Sequence, residues 1–195
     1  MPRSSELRRT AVLAELIRAP SRYLIICGLG TAAFDAARLT GDGPNLFPID
    51  GAMGSALGVG LGLALAQPRR FVLVMTGDGE VLMNLGLLAT VAVQAPPNLS
   101  ILCLDNGVWG LTGSQPTHTS HGTDLTAVAA ACGIATAMTV SRPDEVAAGR
   151  RLLEDDSELT FVRVELGAEP PEPFPFDRHG AAIRRRFRDA LAAGR

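Results

Sequence analysis

Lysine is missing altogether: the 18 basic residues of this 195-residue chain are all arginine. No phosphate-loop lysine and no Schiff-base chemistry, pyridoxal phosphate included, can come from within it. Cysteine is scarce as well. Cys27, Cys103 and Cys132 are scattered through apolar surroundings, which excludes a clustered iron–sulfur pattern and predicts inert buried thiols in a reducing compartment. A net charge of −2 without a basic patch leaves no electrostatic footprint for nucleic acid. Glu15 and Arg18 interrupt any signal-like run near the N-terminus, so a cytoplasmic location is expected. The uncharged stretch 51–66 is too short to span a bilayer comfortably, which argues against a membrane partner. With 47% apolar residues, the length suits one domain with a full core.

What is present is concentrated in two places. Gly77-Asp78-Gly79-Glu80 follows the apolar, branched-rich run 71–75, and Asp105-Asn106 follows a second such run at 100–104. Runs of this kind are strands buried on both faces. Between them 81–93 has helical length, and Pro96-Pro97-Asn98 stops it before the second strand. A right-handed crossover brings both strand ends to the same edge of a parallel sheet. There an Asp carboxylate and an Asn amide oxygen can converge on one point, as a small, hard, oxygen-seeking cation requires. Gly77 and Gly79 let backbone N–H groups approach the phosphates that such a cation would carry. These residues predict a magnesium-diphosphate cradle.

At this spacing Gly77-Asp78-Gly79 and Asp105-Asn106 resemble the signature of thiamine-diphosphate enzymes. The segments 79–86, 105–110 and 112–117 are similar to the beta subunit of sulfopyruvate decarboxylase and to phosphonopyruvate decarboxylases, and the resemblance runs from about Leu24 to Glu165. It implies Mg2+ bound by Asp78, Asn106 and the backbone carbonyl of Val108, with thiamine diphosphate against Gly77, Gly79, Glu80, Trp109 and Gly110. Gly30 and Thr31, in the turn after a strand at 23–27, would lie beside the diphosphate. Lacking a third glycine in place, that turn is only half of a dinucleotide fingerprint. Met53 would wedge beneath the cofactor and hold its two rings in a V. Glu80 stands where the family tends to have Ser, so its carboxylate is expected to turn outward or to pair with Arg. His118 and His121 occupy the polar stretch 116–122. Two His three apart without Cys or carboxylate partners suit an exposed loop better than a metal site, and His118 is carried as a proton donor or anion contact at the substrate mouth.

Around these motifs, helices and strands alternate, which predicts an α/β fold: a three-layer αβα sandwich with a mostly parallel sheet. Helices are expected over 7–17, led by Ser4-Ser5, and over 125–132, 144–153 and 181–191, with further strands at 134–140 and 161–165. In 51–66, Gly54, Gly58 and Gly62 recur every four residues, and a small-residue stripe predicts a buried helix in close contact with another element or subunit. Residues 1–166 form the expected cofactor-binding domain. Residues 167–195 form a Pro-rich arm and a final helix whose arginines are a solvated face.

Thiamine chemistry needs a carboxylic acid on the aminopyrimidine ring, and in the enzymes resembled that Glu comes from a second domain of similar fold. This chain has length for one such domain. The resemblance therefore implies a heteromer: a homodimer core built on the glycine helix, a second subunit carrying the pyrimidine-binding domain, and a small 2-oxoacid as substrate that yields an aldehyde and carbon dioxide. Two other readings stand beside it, the small subunit of a 2-oxoacid oxidoreductase and a non-catalytic cofactor-binding module.

Overall fold

The structure, a computed structural model, describes residues 5–168 and 173–193. Ser4 and the stretch 169–172 of the expected arm lie outside the described residues. Among those described, no helix is long and apolar enough to cross a membrane.

The chain runs α1 (Arg9–Leu16), β1 (Tyr23–Cys27), α2 (Thr31–Thr40), β2 (Leu46–Pro48), α3 (Ala56–Ala66) and β3 (Phe71–Gly77). It continues through α4 (Asp78–Met83), α5 (Gly86–Gln94), β4 (Leu99–Asp105), the short hairpin β5 (Val108–Trp109) and β6 (Gln115–Pro116), and α6 (Leu125–Ala131). The last elements are β7 (Thr136–Val140), α7 (Val146–Glu154), β8 (Thr160–Glu165) and α8 (Gly180–Ala193). Six strands form one parallel sheet in the order β2-β1-β3-β4-β8-β7. The period of two along each strand divides the core. Tyr23, Ile25, Cys27, Leu73 and Met75 face a layer of α1, α2 and α7. Leu24, Ile26, Val72 and Val74 face α3, α5, α6 and α8. This is the three-layer sandwich the sequence predicts, and each fully buried Leu or Ile contributes about 1.5–3 kcal/mol to holding the layers together.

Local chemistry explains where the elements differ from expectation. The single helix expected over 81–93 is two, because the Asn84 side chain leaves the helix to donate to the Gly54 carbonyl at 3.2 Å and Gly86 follows, a poor helix former. The helix expected to begin at 51 begins at Ala56, since Gly54 has φ +85°. Two of the three glycines of the predicted stripe are in close contact, Gly54 with Asn84 and Met83 and Gly58 with Leu87. Gly62 faces open space, whereas a Cβ on Gly60 would sit 2.1 Å from the Val74 side chain. Cys132 is half-buried, unlike Cys27 and Cys103. Sequence reasoning left 31–48 unassigned, yet it forms α2 and β2.

The C-terminal segment is packed against the domain. Phe174 and Phe176 lie on the first core layer, Arg38 stacks 5.3 Å over the Phe174 ring, and α8 lies on β2 with Phe187 5.4 Å from Phe47. Arg186 pairs with Asp42 at 2.8 Å, while Arg184, Arg185 and Arg188 are exposed as expected.

Candidate functional site

The chain first moves outward from β1 to β2 and then returns to the other side of β1 for β3. Because α2 lies on one face of the sheet and α3 on the other, a crevice is left above the carboxyl ends of β1 and β3. A cavity opens there, and it is lined by every cofactor-contact residue proposed from the sequence: Gly30, Thr31, Met53, Gly77, Asp78, Gly79, Glu80, Asn106, Val108, Trp109 and Gly110. Leu29, Leu104, Leu111 and Thr112 also line it. Their signal in the sequence was only adjacency to the motifs. Gly30 has φ +76° and caps α2, so a helix start faces the cavity.

Asp78 opens α4 and is 2% exposed. Its Oδ2 accepts the Thr117 hydroxyl at 2.5 Å and the Thr119 hydroxyl at 3.2 Å. Burial, and next the negative charge of Asp105, push its pKa up to about 6, against the lowering effect of both hydroxyls and the Gly79 amide. A bound cation would reverse that balance. Asp105, fully buried, receives the Gly107 N–H and the Thr119 hydroxyl on Oδ1. Its Oδ2 is gripped by Arg163 through Nε at 2.7 Å and Nη2 at 2.6 Å. Burial works against the Arg163 charge, but Asp105, Glu165 and Asp124 outweigh it and raise its pKa. Of this dipeptide Asn106 lines the cavity, and Asp105 braces the turn from below. Gly107, with φ +71°, makes that turn possible and admits Ser120, whose Oγ would stand 2.5 Å from a Cβ there.

Glu80 corrects an expectation. It turns neither outward nor toward an arginine, and it is 4% exposed. Its carboxylate accepts the Thr76 hydroxyl at 3.1 Å, the Gly54 N–H at 3.3 Å and the backbone amides of Ala56 and Leu29. Desolvation raises its pKa against those hydrogen bonds. Gly28 is what lets it in: a Cβ at that position would lie 1.5 Å from Glu80 Oε2. Glu80 thus ties α4 to the turn before α2 and to the Met53-Gly54 turn before α3. Of the acids able to act in the cavity, it is already engaged on every side.

Trp109 is half-buried in the cavity wall, and a Cβ on Gly79 would run into its ring at 2.5 Å. The structure does not bring His118 to the cavity. The turn alternates, with Thr117 and Thr119 buried and His118 and Ser120 exposed; hydroxyls, not imidazoles, face the site, and sequence reasoning missed both threonines.

Among the described residues no group of three or more His, Cys, Asp and Glu is arranged to hold a metal. A cation here would rest on one carboxylate, the Asn106 amide oxygen and the Val108 carbonyl. Such a sparse all-oxygen set fits Mg2+, which keeps few protein ligands and takes the remainder from phosphates and water. The glycine turns and the narrow, apolar-walled space fit a diphosphate-bearing cofactor.

Comparison with known proteins agrees. The family described as "Thiamine pyrophosphate enzyme, C-terminal TPP binding domain" matches residues 28–164. The chain is 48% identical over 110 residues to "Sulfopyruvate decarboxylase subunit beta" of Methanothermobacter thermautotrophicus, covering 56% of this chain and 58% of the relative. It is 45% identical over 183 residues to "Phosphonopyruvate decarboxylase" of Streptomyces viridochromogenes, covering 91% of this chain and 43% of the relative. It spans about half the length of these curated relatives. The crystal structure of benzoylformate decarboxylase from Polynucleobacter necessarius matches with a TM-score of 0.68 at 18% identity, over 87% of this chain and 34% of that one, a likeness of fold.

Proposed function

The chain belongs to the thiamine pyrophosphate enzymes through their C-terminal TPP-binding domain, and from that premise we propose that it is the diphosphate-binding subunit of a two-component 2-oxoacid decarboxylase. The substrate class is a 2-oxoacid with a second anionic group, sulfopyruvate or phosphonopyruvate, as the names of the relatives support. The observation that supports this reading is that Asp78, Asn106 and Val108 all line one cavity between two glycine turns.

In this reading Asp78, Asn106 and Val108 hold Mg2+, and the backbone at Gly30–Thr31 and Gly77–Gly79 faces the diphosphate. Met53 supplies an apolar support on one side, and Trp109 with Leu111 keeps water out on the other. When bound, thiamine diphosphate supplies an electron sink for the pair released as carbon dioxide leaves. The activating acid is assigned to a second polypeptide. Glu80 is engaged by a hydroxyl and three amides, and Asp35 is held by Arg9 at 2.6 Å outside the cavity.

The test is reconstitution. The purified chain with Mg2+ and thiamine diphosphate is expected to bind cofactor without releasing carbon dioxide from sulfopyruvate, phosphonopyruvate or pyruvate. Adding a subunit that carries the pyrimidine-facing Glu restores turnover. Robust turnover by a preparation shown by mass spectrometry to contain this chain alone would overturn the split-site reading.

A further inference from the structure

Oδ2 of Asp78, the carboxylate oxygen that two side-chain hydroxyls engage, is the informative one. Thr117 and Thr119 come from the turn after β6, 39 and 41 residues beyond Asp78, and both hydroxyls converge on the same carboxylate oxygen, Oδ2, at 2.5 and 3.2 Å. The arrangement is built in depth. Thr117 is fully buried and Thr119 4% exposed. The two hydroxyls are 2.9 Å apart, and Thr119 is also 2.8 Å from Asp105 Oδ1. Asp105 is fixed by Arg163 from the neighbouring strand. The turn is tied to the opposite loop by the Thr117 N–H and the Ser120 hydroxyl, which both donate to the Gly107 carbonyl. Residues 105–108 and 117–120 are therefore joined by hydrogen bonds, and the hydroxyls they hold in place orient the Asp78 carboxylate.

Two hydroxyl hydrogens aimed at one carboxylate oxygen compete with a cation for the lone pairs of that oxygen. We propose that Thr117, braced by Thr119, is a specificity-determining positioning residue of the cation site: it blocks Oδ2, confines Asp78 to one-oxygen coordination, and so selects Mg2+ against Ca2+. The chemistry follows from ion size. Mg2+ demands six ligands in near-octahedral order at about 2.0–2.1 Å, whereas Ca2+ takes six to eight at about 2.3–2.6 Å and readily accepts a carboxylate through both oxygens. This inference rests on the reading of Asp78 as a cation ligand given above.

The experiment measures Mg2+ and Ca2+ affinities of the full chain, each by calorimetry with thiamine diphosphate present, in wild type, Thr117→Val, Thr117→Ser, Thr119→Val and Asp78→Ala. Chelation by free cofactor is common to all variants and cancels in the ratio. Thr117→Val is expected to shift the Ca2+-to-Mg2+ affinity ratio toward Ca2+ by about tenfold, within the range typical when an outer partner of a metal ligand is removed. Thr119→Val shifts it the same way by less, and Thr117→Ser, which keeps the hydroxyl, restores the wild-type ratio. A purely structural role would weaken both cations together, and an unchanged ratio in Thr117→Val overturns the proposal. Should Thr117→Val fail to fold, an unchanged ratio in Thr119→Val overturns it equally. If Asp78→Ala keeps wild-type affinity for either cation, or wild type shows no cation-dependent cofactor binding, the site reading itself falls.

Discussion

At the carboxyl ends of β3 and β4 every charged group is enclosed and partnered, whereas on α3, α4 and α5 beside them apolar side chains stand in water. Asp78, Glu80, Asp105 and Arg163 are all at most 5% exposed and hydrogen-bonded. Val59, Leu65, Met83 and Val93 are 40–81% exposed. The contrast separates two tasks. In the proposed reading, gripping a cation requires fixed oxygens, and buried charges are tolerated only when each is paired; here the partners of these four charges come from this chain. The helices need no such closure on their own, and their open apolar side chains support an assembly in which another polypeptide covers them.

The comparison is broken most severely at Asp78. Asp78→Ala is expected to abolish Mg2+-dependent thiamine-diphosphate binding, because the diphosphate would lose the cation that neutralises it. Calorimetry of the mutant is the check, and His118→Ala, altered on the exposed side of the same turn, should leave that affinity unchanged. Undiminished binding by the Asp78 variant would remove it from the site.

Arg163→Ala tests the enclosed region for stability. Removing one partner from a buried ion pair costs about 3–5 kcal/mol, read as a lower urea midpoint. A loss comparable to that of a surface change would mean that Asp105 does not depend on Arg163. Val93→Glu and Met83→Glu test the open region in the opposite sense. They should leave the unfolding free energy from urea titration within about 0.5 kcal/mol yet weaken self-association or partner binding in sedimentation velocity. Unaltered sedimentation would exclude these side chains from the assembly.

The remaining effect is on pH dependence. The folded-state pKa of Asp78 is raised from 3.8 to about 6, so the folded protein holds a proton that the unfolded chain gives up. Metal-free stability should therefore fall as pH rises through that interval. Asp78→Asn should lose this component and, at neutral pH without metal, be at least as stable as wild type. The difference between the two proteins isolates Asp78, and a difference that grows in favour of wild type with rising pH would contradict the shift.

Legibility followed the range of the interactions. β1, β3 and β4 could be read because strands buried on both faces are continuous apolar runs, and Asp78 and Asn106 because each directly follows such a run. α2 and β2 could not, since an alanine-rich helix and a three-residue strand carry little periodicity of their own. The break at Asn84 depends on the Gly54 carbonyl 30 residues earlier. The Glu80 carboxylate was expected to turn outward or to pair with an arginine because charge repulsion was the only local argument. Its actual partners, the Thr76 hydroxyl and the amides of Leu29, Gly54 and Ala56, come from three separate segments and supply four donors.

The sequence by itself determined the layered fold, the edge at which the site lies and the oxygen donors gathered there, because these follow from the period of two, the burial of parallel strands and glycine turns at strand ends. Tertiary structure alone decided which residues of the 116–122 turn face inward, that Asp105 braces rather than lines the cavity, and that Glu80 is a buried clamp. Those outcomes depend on hydrogen bonds between segments far apart in the chain, and a buried polar group goes wherever the assembled fold offers it a partner.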